Sequence, residues 1–162
     1  RKLMEATGET VHFVERDGID AVYIDKVESL SNGIQMVSRI GSRIPLYCSG
    51  VGKAMVAEMD EWEIEEIWNN SEIIRLTPYT ITDHDDFKME LDEIRRRGYA
   101  LDNEENETGV RCIACSLKEP AGGARHAFSI SAPVSRMDDD RIRELADSVL
   151  KVREEIAEKL RS

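Results

Sequence analysis

The sequence predicts an α+β domain built around a mainly antiparallel sheet, with helices at its edges. Three observations support this prediction. Two β-rich runs flank Asp17-Gly18, a strong hairpin signal; a helix with matching start and stop signals opens at Asp83; and a long amphipathic helix closes the chain. The length of 162 residues, with 41% hydrophobic side chains, fits one globular domain.

The pattern of the first part of the chain predicts a helix followed by three strands. Residues 1–7 have a helical pattern that stops at Gly8, with no N-cap residue before them, so we expect the end of a longer helix. Alternation with a period of two then predicts strands over 10–16, 20–27 and 34–39. The first two of these strands form the predicted hairpin.

The remainder of the chain alternates between helices and strands. Ser49 and the small residues after it suit the start of a helix, and a second helix is predicted over 61–69. The helix between Asp83 and Gly98 has acidic residues early and arginines late, as the helix dipole favours. Strands are predicted over 99–103, 110–117 and 126–132, followed by the final helix from about Asp138.

Charge and cysteine content exclude several classes of function. The chain has 33 Asp and Glu against 22 Lys and Arg, a net charge of -11 that opposes binding to a phosphate backbone. Three cysteines, Cys48, Cys112 and Cys115, form no disulfide framework, so we expect a protein of the reducing cytoplasm. No run approaches the roughly 20 apolar residues that cross a bilayer, and we expect no membrane role.

The run from Ser49 to Lys53 resembles a phosphate-binding loop but lacks its pattern. Tyr47 and Ala54 stand where that loop needs Gly and Ser or Thr. Two interpretations remain open. Backbone N–H groups at a helix start with little side-chain cover favour a carboxylate or phosphate. Alternatively, the glycines only allow the helix to pack closely against the sheet.

Side-chain alternation organises the second half of the predicted sheet. Cys112 and Cys115, three residues apart on one strand, point to opposite faces, so this pair is not expected to bind a metal. Cys112 shares its face with Val110, and Ser129 shares a face of the next strand with Ser131. Two hydroxyls on one face are either solvated or converge on a polar group beside the sheet.

Two further features need weighing. Asp102 lies within strand alternation just before an acidic loop, and is either a binding carboxylate or a solvated surface residue. Cys112 or Cys48, paired with one of His12, His84 or His126, would make a thiol nucleophile. Nothing in the sequence orders such a pair, and a buried cysteine behaves as a small hydrophobic side chain, so we expect no enzymatic activity.

Four segments of the chain carry a family resemblance: GSRIPLYCSGVGKAMVA (41–57), RGYALDNEE (97–105), GVRCIA (109–114) and SISAPVSRM (129–137). Each segment is weak alone, but the four stand in one order and spacing. Together they resemble the effector-binding domain of the IclR family of bacterial transcription regulators, over essentially the whole chain. The residues near 79–82 and 103–105 look most similar to members that control sugar-acid breakdown.

The resemblance implies a GAF-like fold, in which a curved antiparallel sheet of about six strands is flanked by helices. Residues 1–8 would be the end of a linker helix and residues 9–162 the effector-binding domain, preceded by a winged helix-turn-helix domain outside this sequence. It implies a homodimer or homotetramer, a small carboxylate effector (a 2-oxo acid or sugar acid), and operator DNA bound only through the preceding domain. No cofactor or metal is expected.

The resemblance also implies which residues contact the effector. The amides of Gly50 and Val51 would hold a carboxylate, two serines would add hydroxyl donors, and apolar side chains would form the walls. Alternatives are a GAF-like sensor with another output and a small thiol-dependent enzyme using Cys112. The implied effector contacts are Met36, Ile44, Gly50, Val51, Asp102, Val110, Cys112, Ser129 and Ser131.

Overall fold

The computed structural model describes residues 1–29 and 38–162. Its strands are β1 (Thr10–Asp17), β2 (Asp20–Val27), β3 (Arg43–Pro45), β4 (Ala100–Asn103), β5 (Val110–Lys118) and β6 (Ala124–Pro133). Within the described ranges they form one six-stranded sheet in the order β3-β2-β1-β6-β5-β4, and each neighbouring pair is antiparallel. The predicted α+β class and the curved antiparallel sheet are confirmed.

Five α-helices accompany the sheet in the described ranges: α1 (Lys2–Thr7), α2 (Gly50–Val56), α3 (Glu61–Asn70), α4 (His84–Arg97) and α5 (Asp139–Arg161). Four of them begin in the same way, because a side-chain oxygen at the N-cap accepts a hydrogen bond from the N–H three residues later. These caps are Ser49, Asp60, Asp83 and Asp138.

The two faces of the sheet support separate apolar clusters. Helix α2 packs on one face, here called the α2 face, against small residues such as Ala114 and Ala127. Helix α5 packs on the other, the α5 face, against larger residues such as Ile113 and Ile130. The alternation of side chains along β5 and β6 therefore sends neighbouring residues into different clusters.

One part of the predicted strand order differs from the structure. Of the strand predicted over 34–39, residues 34–37 lie outside the described residues, and Ser38 and Arg39 are not in a strand. The third strand of the described sheet is instead Arg43–Pro45, which pairs with β2. Three residues ending in a proline are too short to show alternation, and this is why the pattern did not predict β3.

Candidate functional site

A row of polar side chains crosses four strands on the α2 face. Asp102 on β4 lies opposite Cys112 on β5, Cys112 lies opposite Ser131 on β6, and Ser131 lies opposite Thr10 on β1. Residues directly opposed in antiparallel strands project to the same face. Asp102, Ser131 and Thr10 are each only 4% exposed, so this row is a buried polar floor.

A second row runs beside the first. Ala114 on β5 lies opposite Ser129 on β6, and Ser129 lies opposite His12 on β1. Ser129 is 4% exposed and His12 is 3% exposed. The hydroxyl of Ser129 has no hydrogen-bond partner within residues 1–29 and 38–162, and because no fully buried side-chain oxygen in these ranges is unpaired, it must keep some access to solvent or to a ligand.

Helix α2 begins directly against this floor. A Cβ atom on Gly50 would lie 3.4 Å from the Cβ of Ala114 and 3.5 Å from the backbone nitrogen of Asp102. The N–H groups of Gly50 and Val51 donate to no acceptor in the part of the chain that the structure describes. Two backbone donors are therefore available beside Asp102.

Gly52 supports the other interpretation of this glycine-rich run, in which a glycine allows the helix to pack closely. A Cβ atom there would lie 2.3 Å from the Cα of Leu46, a distance that no side chain tolerates. The Gly52 N–H donates instead to the Ser49 hydroxyl at 3.1 Å. Close packing thus explains Gly52, whereas Gly50 lies at the polar floor.

Asp102 combines burial with incomplete hydrogen bonding. Its Oδ1 accepts hydrogen bonds from the N–H groups of Glu105 at 2.8 Å and Asn106 at 3.4 Å, while Oδ2 has no partner within the described ranges. Burial, reinforced by the charge of Glu105, raises the pKa of the Asp102 carboxyl to about 7. Near neutral pH this carboxyl can therefore either donate or accept a hydrogen bond.

A buried ion pair holds the loop after Asp102. Lys53 on α2 is fully buried, and its Nζ donates to the Glu105 carboxylate at 2.8 Å and to the Leu101 carbonyl at 2.6 Å. The same carboxylate accepts a hydrogen bond from the Asn103 N–H at 2.9 Å. Because removing either partner would leave an unpaired buried charge, this pair ties the loop to α2.

His12 belongs to a chain of hydrogen bonds. Its Nδ1 lies 3.3 Å from Ser131 Oγ and its Nε2 lies 2.5 Å from Ser38 Oγ, while Ser131 Oγ donates to Cys112 Sγ at 3.0 Å. Since a hydroxyl has one proton, Ser131 then accepts from Nδ1–H, and Nε2 accepts from Ser38. Burial and the charge of Lys26 lower the pKa of His12 to about 4, so the ring is neutral at neutral pH.

The thiols on this face are in surroundings that disfavour a thiolate. Burial and the charge of Asp102 raise the pKa of Cys112 well above its ordinary value, and burial raises that of Cys48 to about 12. The hydrogen bonds of the His12 ring go to serines, not to a thiol. A reactive cysteine needs positive neighbours, whereas the charges near Cys112 are negative.

The described structure brings the predicted effector contacts to one face. Five of them lie in the two polar rows or directly against them, two belong to the buried cluster that includes Ala114, and one stands at the start of β5. The first group is Asp102, Cys112, Ser129 and Ser131, together with Gly50 against Asp102. The two cluster residues are Ile44 and Val51, and the residue at the start of β5 is Val110. Met36 lies outside the described residues.

Sequence reasoning did not assign three residues of this face to the binding site. His12 was considered only as the base of a thiol enzyme, although its alternation with Thr10 and Val14 could have placed it on the floor. Tyr23 lies on this face because the register of the β1–β2 pairing shifts. Lys53 lies at the site because it pairs with Glu105, which is 52 residues further along the chain. No local pattern reports either arrangement.

The Cys112-x-x-Cys115 pair is divided between the two faces, as predicted. Cys115 belongs to the cluster under α5, whereas Cys112 bonds to Ser131 on the α2 face. Among the described residues, no group of three or more His, Cys, Asp and Glu side chains could hold a metal ion. No helix in these ranges is both long and apolar enough to cross a membrane.

Comparison with known proteins identifies relatives of the whole chain. A family model described as "Bacterial transcriptional regulator IclR C-terminal" matches residues 1–158. The chain is 40% identical over 144 residues to the HTH-type transcriptional regulator KdgR of Escherichia coli K12, covering 89% of this chain and 54% of that protein. It is also 40% identical over 141 residues to the HTH-type transcriptional repressor AllR of Klebsiella pneumoniae, covering 87% and 52%. The chain thus spans about half the length of these relatives.

Solved structures agree with these relationships. The Thermotoga maritima IclR superposes with a TM-score of 0.93 at 41% identity, covering 98% of this chain and 64% of that one. The C-terminal domain of E. coli KdgR gives 0.87 at 34% identity, with 99% and 92% covered. The inducer-binding domain of PobR from Acinetobacter, a double mutant in complex with 3-hydroxybenzoic acid, gives 0.85 at 27% identity, with 96% and 91% covered.

Proposed function

Because the chain belongs to the IclR family of bacterial transcriptional regulators, as an effector-binding domain, we propose that its α2 face binds a small carboxylate, either a 2-oxo acid or a sugar acid. The observation that carries the proposal is a set of polar groups on the α2 face that have no hydrogen-bond partners in the described ranges, in residues that are themselves largely buried. These groups are Ser129 Oγ, Asp102 Oδ2 and the N–H groups of Gly50 and Val51. Leaving such groups unpaired costs free energy, and a polar ligand removes that cost.

Each implied contact has a role in this proposal. The N–H groups of Gly50 and Val51 hold the carboxylate, Ser129 supplies a hydroxyl donor, and Ser131 supplies a second one when its hydroxyl turns from Cys112 Sγ to the ligand. Asp102 accepts a hydrogen bond from an effector hydroxyl or a bound water. Ile44 and Val110 form apolar walls, to which the family resemblance adds Met36 outside the described residues, and Cys112 lies within the first polar row.

A related domain supports the choice of ligand class. The inducer-binding domain of PobR, at 27% identity, binds 3-hydroxybenzoic acid, which is a small carboxylic acid with one hydroxyl group. A ligand of this kind matches a face that offers hydroxyls, backbone donors and one carboxyl. No step of this proposal requires catalysis, and the raised pKa of Cys112 disfavours a thiol enzyme.

Operator binding is proposed for the whole protein rather than for this domain. The relatives KdgR and AllR are HTH-type regulators about twice as long as the matched region. We assign DNA binding to a winged helix-turn-helix domain joined through a linker helix that ends at residues 1–8. The cytoplasmic protein acts as a homodimer or homotetramer, and the effector shifts the population of subunit arrangements.

Thermal unfolding of this chain with a panel of acids tests the binding site. Pyruvate and hydroxypyruvate represent the 2-oxo acids, and D-gluconate represents the sugar acids. Benzoate and 3-hydroxybenzoate represent the kind of acid found in the complex of the related PobR domain. An acid present at about 100 times its Kd stabilises the fold by about 2.7 kcal/mol, which raises Tm by roughly 5–10 °C for a domain of this size. The double variant Ser129→Ala with Asp102→Asn should abolish that shift.

Ser116→Ala is the matched control for this experiment. Ser116, on β5, is a buried serine like Ser129. Its hydroxyl already donates to Glu58 at 3.4 Å, away from the polar rows. Its removal should leave the ligand-induced shift intact. If no acid in the panel stabilises the chain, or if the double variant keeps the full shift, the assignment of the α2 face is wrong.

A further inference from the structure

Tyr23 projects to the α2 face because the pairing of β2 with β1 is irregular. The register shifts between Phe13 and Val14, so that Tyr23 lies opposite Val14. A bulge of this kind redirects side chains, and bulges often occur beside functional sites. As a result, the Tyr23 ring lies against His12, with ring centroids 4.9 Å apart and planes tilted by 54°.

The hydroxyl of Tyr23 has no hydrogen-bond partner within residues 1–29 and 38–162. Its side chain is partly buried, and burial raises its pKa well above the ordinary value. The acidic groups of Cys112, Asp102 and Cys48 raise that pKa further. These groups come from β5, from β4 and from the approach to α2, and the contact of the Tyr23 ring with His12 places this side chain beside the second polar row.

The charges around the floor restrict what can lie between these groups. Lys53 on α2 is occupied by the Glu105 carboxylate at 2.8 Å and the Leu101 carbonyl. Lys26 on β2 donates to the Ser38 carbonyl at 2.9 Å and pairs with Glu28 at 3.2 Å. Both lysines thus have protein partners, and a second anionic group on a ligand would meet the carboxyl of Asp102 instead.

A hydroxyl group on the ligand satisfies the remaining atoms. Tyr23 Oη and Ser129 Oγ can each donate and accept, and Asp102 Oδ2 can accept from an alcohol when it is ionised. An alcohol also donates and accepts, and it adds no charge. A methyl group or hydrogen in its place would leave these polar atoms unpaired.

We propose that Tyr23 is a specificity-determining residue, through which this domain selects a hydroxylated monocarboxylic acid over the same acid without its hydroxyl. The inference rests on the proposed function, because it assumes that the α2 face is the effector site. Sites built to hydrogen-bond a ligand hydroxyl reject the analogue that lacks it far more strongly than apolar pockets distinguish methylene groups.

Isothermal titration calorimetry with matched pairs of acids tests this inference. The pairs are hydroxypyruvate and pyruvate, 3-hydroxybenzoate and benzoate, and D-gluconate and hexanoate. The wild-type chain should bind the hydroxylated member of at least one pair about tenfold more tightly or better. In Tyr23→Phe this preference should fall by about tenfold, through weaker binding of the hydroxylated member only.

Tyr99→Phe is the control, since it removes the same atom from a tyrosine that packs with the cluster on the α5 face. This variant should keep the full preference. Tyr23→Phe removes no hydrogen bond within the described ranges, so its Tm should stay close to that of the wild type.

The outcomes separate the two proposals. If the wild-type chain binds acids but shows no preference for the hydroxylated members, or if Tyr23→Phe keeps that preference, the role of Tyr23 is overturned and the effector site stands. If no acid binds the wild-type chain, the proposed function fails and the inference falls with it.

Discussion

The two faces of strands β5 and β6 differ although they share one backbone. On the α5 face, Ile113, Phe128 and Ile130 pack under the long helix, and Ile113 and Ile130 are fully buried. On the α2 face, the positions between them hold Ala114 and Ser129, with hydroxyl and carboxyl groups nearby. One face thus concentrates apolar volume, whereas the other keeps small and polar side chains.

This difference separates stability from binding. Full burial of a residue such as Ile130 contributes about 1.5–3 kcal/mol through the hydrophobic effect. The hydroxyl of Ser129, which bonds to nothing within the described ranges, contributes little to stability by comparison. A fold that needed only stability would fill the α2 face with apolar side chains, and the proposed effector site would account for the polar floor found there instead.

The largest expected effect comes from truncating neighbouring residues on opposite faces. Ile130→Ala should lower the free energy of unfolding by about 4 kcal/mol, because it leaves a cavity under α5. Ser129→Ala should change it by less than about 1 kcal/mol, since its hydroxyl bonds to nothing within the described ranges. Urea denaturation followed by circular dichroism measures both. Equal losses in the two variants would contradict the separation of the faces.

Asp102→Asn should have the next largest effect on the free energy of unfolding, and this effect should grow as the pH rises. The folded-state pKa of Asp102 is raised from 3.8 to about 7, so the unfolded chain ionises first and the wild type loses stability as pH rises between about 4 and 7. Asn does not titrate and can still accept from the backbone N–H groups. Relative to the wild type, the variant should gain about 3 kcal/mol between pH 5 and pH 8, since one pKa unit corresponds to about 1.4 kcal/mol.

The measurement for Asp102→Asn is the free energy of unfolding at several pH values, with Asp139→Asn as a control. Asp139 is an exposed carboxylate at the start of α5. The change of this difference with pH should be larger for Asp102→Asn than for the control. A difference for Asp102→Asn that stays constant with pH would show that its carboxyl is not buried as described.

His12→Asn should give a smaller effect in the opposite direction. The pKa of His12 is lowered from 6.5 to about 4, so the wild type loses stability as pH falls from about 6.5 to 4, while the unfolded chain takes up a proton. The destabilisation caused by His12→Asn should therefore be about 2 kcal/mol smaller at pH 5 than at pH 7.5. His84→Asn, which changes a half-exposed histidine, serves as the control. A cost of His12→Asn that does not change with pH would argue against a neutral, buried ring.

Much of the fold followed from local patterns. The helix that ends at Gly98 was predicted because capping, charge and apolar spacing agree along it, and α5 was predicted for the same reason. The hairpin at Asp17-Gly18 was also predicted, and Gly18, with a φ of 65°, supplies the positive φ that tight hairpin turns favour. The three-residue strand β3 was missed because so few residues carry no periodicity.

The candidate site could be predicted from the sequence only in part. Alternation correctly placed Ser129 with Ser131 and separated Cys112 from Cys115, and the family resemblance supplied the positions on other strands. The register shift that turns Tyr23 to the α2 face had no signal in the sequence. The pairing of Lys53 with Glu105 had none either, because it joins residues far apart along the chain.

The sequence by itself determined the period of each element, and with it which side chains share a face, because backbone geometry repeats every two or 3.6 residues. Only the tertiary structure decided which of the two faces became the polar floor, and that His12, Tyr23 and Asp102 all lie on it. These contacts depend on strand register and on the packing of α2 against the sheet. Both are set by the sum of many distant interactions rather than by any local run of residues.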